Sequence, residues 1–281
     1  MSIKRRDFIR LSAGNAALLY GLPVGLAAGA EHGKTSDKTA GSGSSFGMNG
    51  ERAGALDRLA PMTGDVVPIS VEERQARIQK AQKLMGENNI QAMVLDSGTS
   101  MVYFTGIGWG ASERPMLAII PAHGEVKYIS PAFEAERLRE LIKIGNEVRV
   151  WEEDESPYKV AAGILKDYGI RTGTVGMEER VRFFIFDGIR KEASQLNYVS
   201  ADPVTAACRM IKTPAELALI QKANDITVAA YKACIALLHE GMTPADFSSS
   251  AEDAFSRLGV RGGLSANFGE ASAFPHGSIQ T

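Results

Sequence analysis

Ser272-Ala273-Phe274-Pro275-His276-Gly277 sets one histidine between a proline and a glycine. An imidazole held in such a turn can donate to developing oxyanion charge, or move a proton near neutral pH. By itself the pattern leaves two readings open, a structural turn residue and a group that acts on a substrate. A second stretch, Gly106 to Arg114, gathers Trp109, Ser112, Glu113 and Arg114 among glycines. A tryptophan in a glycine-rich loop is either a lid over a neighbouring pocket or a plug packed on its own domain. His123 sits in the turn Pro121-Ala122-His123-Gly124 and reads as a solvated loop residue. Cys208 and Cys234 show no metal-ligand spacing and read as small buried side chains, with no disulfide predicted.

These residues need elements to hold them. Ser70-Val71-Glu72-Glu73 is a capping box in which Ser70 accepts from the Glu73 backbone and Glu73 reaches back. Ile78, Ala81, Leu84 and Met85 follow at helical spacing, and Gly86-Glu87-Asn88-Asn89 ends that helix. Buried strands are expected at Ala92–Leu95, Met116–Ile120, Val126–Ile129, Glu147–Trp151 and Thr174–Met177. Met101–Phe104 is a helical turn or an extended piece. Helices are expected over Phe133–Ile144, Tyr158–Tyr168 and most of Phe183–Leu196. The alternation implies an α/β layer architecture with a mixed sheet over residues 67–205.

From residue 206 the pattern turns helical. Thr213, Pro214 and Glu216 form a strong start signal for a helix running to about His239, where Glu240-Gly241 stops it. Thr243-Pro244-Ala245-Asp246 repeats the signal. Phe247, Ala251, Ala254, Phe255 and Leu258 then give the apolar stripe of a second helix.

The N-terminus reads as an address. Lys4-Arg5-Arg6-Asp7-Phe8-Ile9-Arg10 precedes a mildly apolar stretch from Leu11 to Gly29, and Ala28-Gly29-Ala30 offers a cleavage site. The paired arginines resemble a twin-arginine export signal over residues 1–30. Gly14, Asn15, Gly21, Pro23 and Gly25 interrupt the stretch and argue against a permanent membrane span. The expected destination is the periplasm or the exterior, reached through the twin-arginine machinery. Residues 31–66, rich in Gly, Ser and Thr, read as a flexible linker.

Composition narrows the function further. The formal net charge is -2, and hydrophobic residues make up 44% against 23% charged, which suits a soluble core. No basic stripe with interleaved aromatics supports nucleic-acid binding. No glycine-rich loop follows a strand, so nucleotide binding is unsupported.

Tyr103-Phe104-Thr105-Gly106-Ile107-Gly108-Trp109-Gly110 with Arg114-Pro115 resembles the N-terminal domain of the creatinase and prolidase family over about Arg74–Pro203. Arg209-Met210-Ile211-Lys212-Thr213-Pro214-Ala215-Glu216 is similar to the opening of that family's catalytic "pita-bread" domain. Ala266–Gly277 is similar to its next strand and turn. The resemblance implies an α/β N-terminal domain followed by the start of an α+β catalytic domain over 206–281. It implies that His276 contacts substrate or the tetrahedral intermediate, as the catalytic residue of this stretch. It also implies that Trp109 and Arg114 border a substrate site, across a homodimer.

The implied activity is hydrolysis of the peptide bond before proline, by an aminopeptidase P-like enzyme or an Xaa-Pro dipeptidase. Such enzymes use two divalent metal ions (Mn, Co or Zn) that activate a bridging water. In the family the Asp, Asp, His, Glu and Glu ligands follow the position of His276, so none is assigned here. Asp246, Glu252, Asp253 and Glu270 precede it and read as capping, helix-face or loop groups. The sequence is therefore expected to be the front of a longer hydrolase, inactive alone. A creatinase-like amidinohydrolase, or a non-catalytic peptide-binding relative, would share the same fold.

Overall fold

The computed structural model describes residues 54–274, which fall into two units. One is Ile69–Pro214. The other joins the stretch before Ile69 to the stretch from Ala215 onward. The twin-arginine segment, its cleavage site, residues 31–53 and His276 lie outside the described residues.

The first unit begins with α1 (Val71–Glu87), whose N-cap Ser70 accepts from the Glu73 N–H at 3.1 Å. The return arm expected of Glu73 goes elsewhere. Its carboxylate accepts from Arg77 Nη2 at 2.7 Å and from Thr213 Oγ1 at 2.8 Å. Burial acts to raise this carboxyl, but the bonds from Thr213 and Arg77 outweigh it and hold the group below its ordinary value. Asn89, at φ 55, turns the chain out of α1.

The sheet has the order β4-β3-β2-β1-β5-β6. Its strands are β1 (Ala92–Leu95), β2 (Leu117–Pro121), β3 (Lys127–Pro131), β4 (Glu147–Trp151), β5 (Thr174–Met177) and β6 (Asn197–Ser200). β2 runs antiparallel to β1 and β3, and the pairs β3–β4, β1–β5 and β5–β6 are parallel. Val94 stands opposite Ile119 on one side and Met177 on the other. β1 reads as an unbroken apolar run because both of its faces are covered. Met93 and Leu95 enter a core with α1, α2 (Thr99–Thr105), α3 (Ala135–Leu141) and α6 (Asp202–Met210). Ala92 and Val94 enter another with α4 (Pro157–Asp167) and α5 (Phe183–Glu192). The unit is thus three layers, helices on both faces of a mixed sheet, as expected.

Several boundaries differ from expectation. The helix expected over 133–144 is a 3-10 turn (Ala132–Glu134) followed by α3, which stops at Leu141. Ile142 leaves in an extended conformation and packs with Ile144 on the first core. Gly145 at φ 71 then enters β4, where an added Cβ would lie 2.3 Å from the Val126 carbonyl oxygen. α5 ends at Glu192 because Ala193 and Leu196 are drawn into the second core, and β6 follows.

Two domain limits also move. Residues 206–214 belong to the first unit. Val204, Thr205 and Cys208 of α6 are buried, Lys80 Nζ donates to the Ala207 and Cys208 carbonyls, and Tyr103 Oη donates to Cys208 O at 3.0 Å. The end of the supposed linker is packed. Residues 54–57 form a helical turn, Ala55 is buried, and Leu56, Leu59 and Met62 lie against the core of the second unit. Asp57 pairs with Arg257 at 2.9 Å and Asp65 with Lys222 at 2.8 Å. The averaged Gly/Ser content hides the apolar spacing of those three side chains.

The second unit contains α7 (Pro214–Leu237) and α8 (Pro244–Arg257). Thr243 and Asp246 form a complete capping box at the start of α8. Phe247, Ala251, Ala254, Phe255 and Leu258 are all buried, as their spacing requires. The strand expected near Ala266–Phe268 is absent among the described residues. A strand needs a hydrogen-bonding neighbour, and every described strand lies in the other unit. A 3-10 turn over Gly269–Ala273 follows instead.

Candidate functional site

Five strands, β1, β3, β4, β5 and β6, point the same way, and only β2 opposes them. Their carboxyl ends open on one edge of the sheet, the edge at which α/β folds place ligands. The segment before β2, residues 106–116, ends at that same edge, because β2 starts beside the end of β1. Topology therefore brings Arg114, shortly before β2, to the mouth of the sheet, with Trp109 earlier in the same segment.

Two buried carboxylates stand where adjacent parallel strands end. Asp96 follows β1 and Glu178 follows β5; they are 2% and 3% exposed. Asp96 Oδ2 accepts from Arg182 Nε at 2.8 Å, and Oδ1 accepts from Arg182 Nη2 at 3.3 Å and from the Ser97 N–H at 2.7 Å. Glu178 accepts from Ser100 Oγ at 2.7 Å and from the Arg180 N–H at 2.9 Å. It has hydrogen-bond donors but no ion pair as close as that of Asp96. Burial accordingly pushes its carboxyl above the ordinary value.

Trp109 is half-buried and packs on the first core, with the Arg137 guanidinium 5.1 Å from its ring. Arg114 grips Glu153 through Nε–Oε1 at 2.7 Å and Nη2–Oε2 at 3.2 Å, also bonds Glu113, and lies over Phe133. The pairing holds Arg114 above and Glu153 below their ordinary values. His123 is exposed.

Two carboxylates of the second unit serve its second helix. Asp246 caps α8, and Asp253 pairs with Arg257 along it. Both cysteines are buried free thiols, and burial raises each of them. Among the described residues no three His, Cys, Asp or Glu side chains are placed to share a metal. The described residues do not fit a two-metal centre.

Asp96, Ser100, Glu178 and Arg182 were not singled out in the sequence. A signal for two of them was present: each acidic residue directly follows an apolar strand, at the point where a buried parallel strand leaves the sheet.

Residues 77–211 match the creatinase/prolidase N-terminal domain. An uncharacterized peptidase of Schizosaccharomyces pombe is 31% identical over 239 residues, 78% of this chain and 51% of the relative. An Xaa-Pro dipeptidase of Pyrococcus furiosus is 26% identical over 207 residues, 72% of this chain and 55% of the relative. Among solved structures, a recombinant prolidase from Thermococcus sibiricus superposes with a TM-score of 0.60 at 22% identity, over 68% of this chain and 50% of its own. The chain spans about half the length of the curated relatives it matches. Among the described residues no helix is long and apolar enough to cross a membrane.

Proposed function

The chain belongs to the creatinase/prolidase family through residues 77–211, and from that premise we propose that it serves a prolidase-like peptidase that cleaves before proline. The observation carrying this reading is the match of the α/β unit, with its Gly106–Arg114 loop, to the domain that such peptidases carry. On this reading Ile69–Pro214 is the accessory lobe. The helices from Pro214 onward open the catalytic lobe, and His276 hydrogen-bonds the substrate carbonyl. A pre-proline amide lacks an N–H and has a ring-fixed shape, so a dedicated cleft is the chemical answer to it.

Two divalent ions, when bound, would supply an activated water. None of the described side chains is assigned to them. The enzyme acts after twin-arginine export, as a homodimer in which the Gly106–Arg114 loop borders the cleft of the partner copy.

The test is an assay of the complete gene product against Xaa-Pro dipeptides, with and without manganese. Metal-dependent cleavage before proline is expected, and replacing His276 with Ala lowers kcat by about 100-fold or more, the loss typical of one oxyanion donor. Residues 31–281 alone are expected to give no turnover. Turnover by that piece would place the metal ligands within it. Failure of the complete product on every Xaa-Pro peptide would remove the peptidase reading.

A further inference from the structure

Between Ile107 and Pro115 the chain has neither helix nor strand, and it is held at a few points, one of them Trp109, half-buried on the first core beside Arg137. At one end Ile107 is buried and its N–H donates to Thr105 Oγ1 at 3.2 Å. At the other, Trp151 Nε1 donates to the Pro115 carbonyl at 3.4 Å. A Cβ added at Gly108 or Gly110 would meet nothing within 4 Å, so packing does not fix the glycines between. The Arg114–Glu153 pair is solvent-exposed, a class of contact that contributes little.

One tie differs in kind. Arg182 Nη1 donates to the Ser112 carbonyl at the middle of the loop, while Nε and Nη2 of the same guanidinium hold both oxygens of Asp96. The Asp96 side chain is 1% exposed and that of Arg182 29%. Phe184 lies beneath the guanidinium, 4.9 Å away. The guanidinium is a rigid planar fork, so fixing two of its nitrogens on a buried carboxylate fixes the direction of the third. Breaking the pair would leave a charge in the sheet end, which is strongly unfavourable.

We propose that Asp96 and Arg182 are a positioning pair, setting where the loop presents Trp109 and Arg114. The functional half of this inference rests on the reading that the loop borders a peptide cleft. Neither member of the pair touches substrate. Their role is to transmit the rigidity of the central strand to the stretch between Trp109 and Pro115, which is otherwise held only at its two ends.

The test compares Arg182→Lys with its parent, both in a Trp151→Phe background that leaves Trp109 as the only tryptophan and removes the Trp151–Pro115 bond from each equally. Lysine keeps a positive charge against Asp96 but cannot span Asp96 and Ser112 together. The urea midpoint is expected to stay near that of the parent. Amide exchange across residues 106–114 should quicken roughly tenfold, the factor that accompanies loss of a charge-assisted hydrogen bond, and acrylamide should quench Trp109 more readily. Exchange in β1 and β5 should not change.

If Arg182→Lys fails to fold, the double variant Asp96→Asn with Arg182→Gln replaces the ions by a neutral pair and is read in the same way. Unchanged exchange in the loop overturns the proposal. So does an equal increase across loop and strands, which would make the pair a general support of the fold.

In the complete gene product the same variant should raise KM for an Xaa-Pro dipeptide and leave kcat unchanged. A loosened loop with an unmoved KM would uphold the positioning pair and remove the loop from the cleft. The two readings therefore fail separately.

Discussion

The two units differ in how completely their apolar surfaces are covered. In Ile69–Pro214 every residue of β1 and β2 is buried, and helices close both faces of the sheet. In the other unit α7 buries Ile226, Ala230, Ala233 and Cys234, yet its Leu217, Ile220, Val228, Tyr231 and Ile235 remain exposed. A helix apolar on both sides is the composition of a buried helix. The difference teaches that the sheet unit encodes its own complete core, whereas α7 carries a second apolar face that its own cluster leaves uncovered.

Removing one ring from each unit gives the largest test of that contrast. Phe104 is fully buried and meets Tyr103 edge-on at 4.9 Å. Phe104→Ala should cost about 3–5 kcal/mol in urea unfolding, because transfer and cavity terms add in a closed core. Phe255, 6% exposed, anchors the smaller cluster. Phe255→Ala should cost less, about 3 kcal/mol at the lower end of the same range, since a smaller cluster collapses more readily around the gap. Amide exchange read unit by unit checks both. Equal losses would mean that the two cores are equally closed.

Most of the sheet unit was legible in the sequence, and the reasons are local. Ala92–Leu95 and Thr174–Met177 are short apolar runs between turn residues, a pattern that leaves little choice. β6 was not legible, because Asn197-Tyr198-Val199-Ser200 is half polar and becomes a strand only through pairing with β5. The Glu73 carboxylate could not be placed either, since its partner Thr213 lies 140 residues away in sequence. Of the candidate site, Trp109 and Arg114 announced themselves by residue type. Arg182 did not, because a single arginine at a helix start gains meaning only beside Asp96, which lies far away in sequence, just past the end of β1.

A smaller effect should come from the helix cap of the second unit. Thr243 and Asp246 exchange hydrogen bonds at 3.0 and 3.2 Å. Thr243→Ala should lower stability by about 1 kcal/mol, seen as faster exchange at the start of α8 and nowhere in the sheet.

Glu178 gives a pH-dependent test confined to the sheet unit. Its carboxyl is raised by burial above 4.5, the value taken for an unperturbed glutamate. The folded state therefore binds its proton more tightly than the unfolded state does. This contribution is fully present below pH 4.5 and is lost as pH rises through the folded value. Glu178→Gln cannot ionise, so its stability relative to the parent should climb from pH 4.5 upward and then level off. Urea midpoints at a series of pH values check this, and a flat difference would show that Glu178 titrates normally.

The smallest expected effect tests the exposed face of α7 directly. Ile235 is 59% exposed. If that face meets only water, Ile235→Lys should change stability by no more than about 0.5 kcal/mol, as at any surface position. Lysine has a helix propensity close to that of isoleucine, so the backbone adds little. A loss several times larger, or a shift in sedimentation, would show that something covers the stripe in solution. The contrast between the units would then be one of partner rather than of packing. Val228→Lys, about two turns away on the same face, separates the cases: a covering surface makes both substitutions costly, whereas a local contact affects only one.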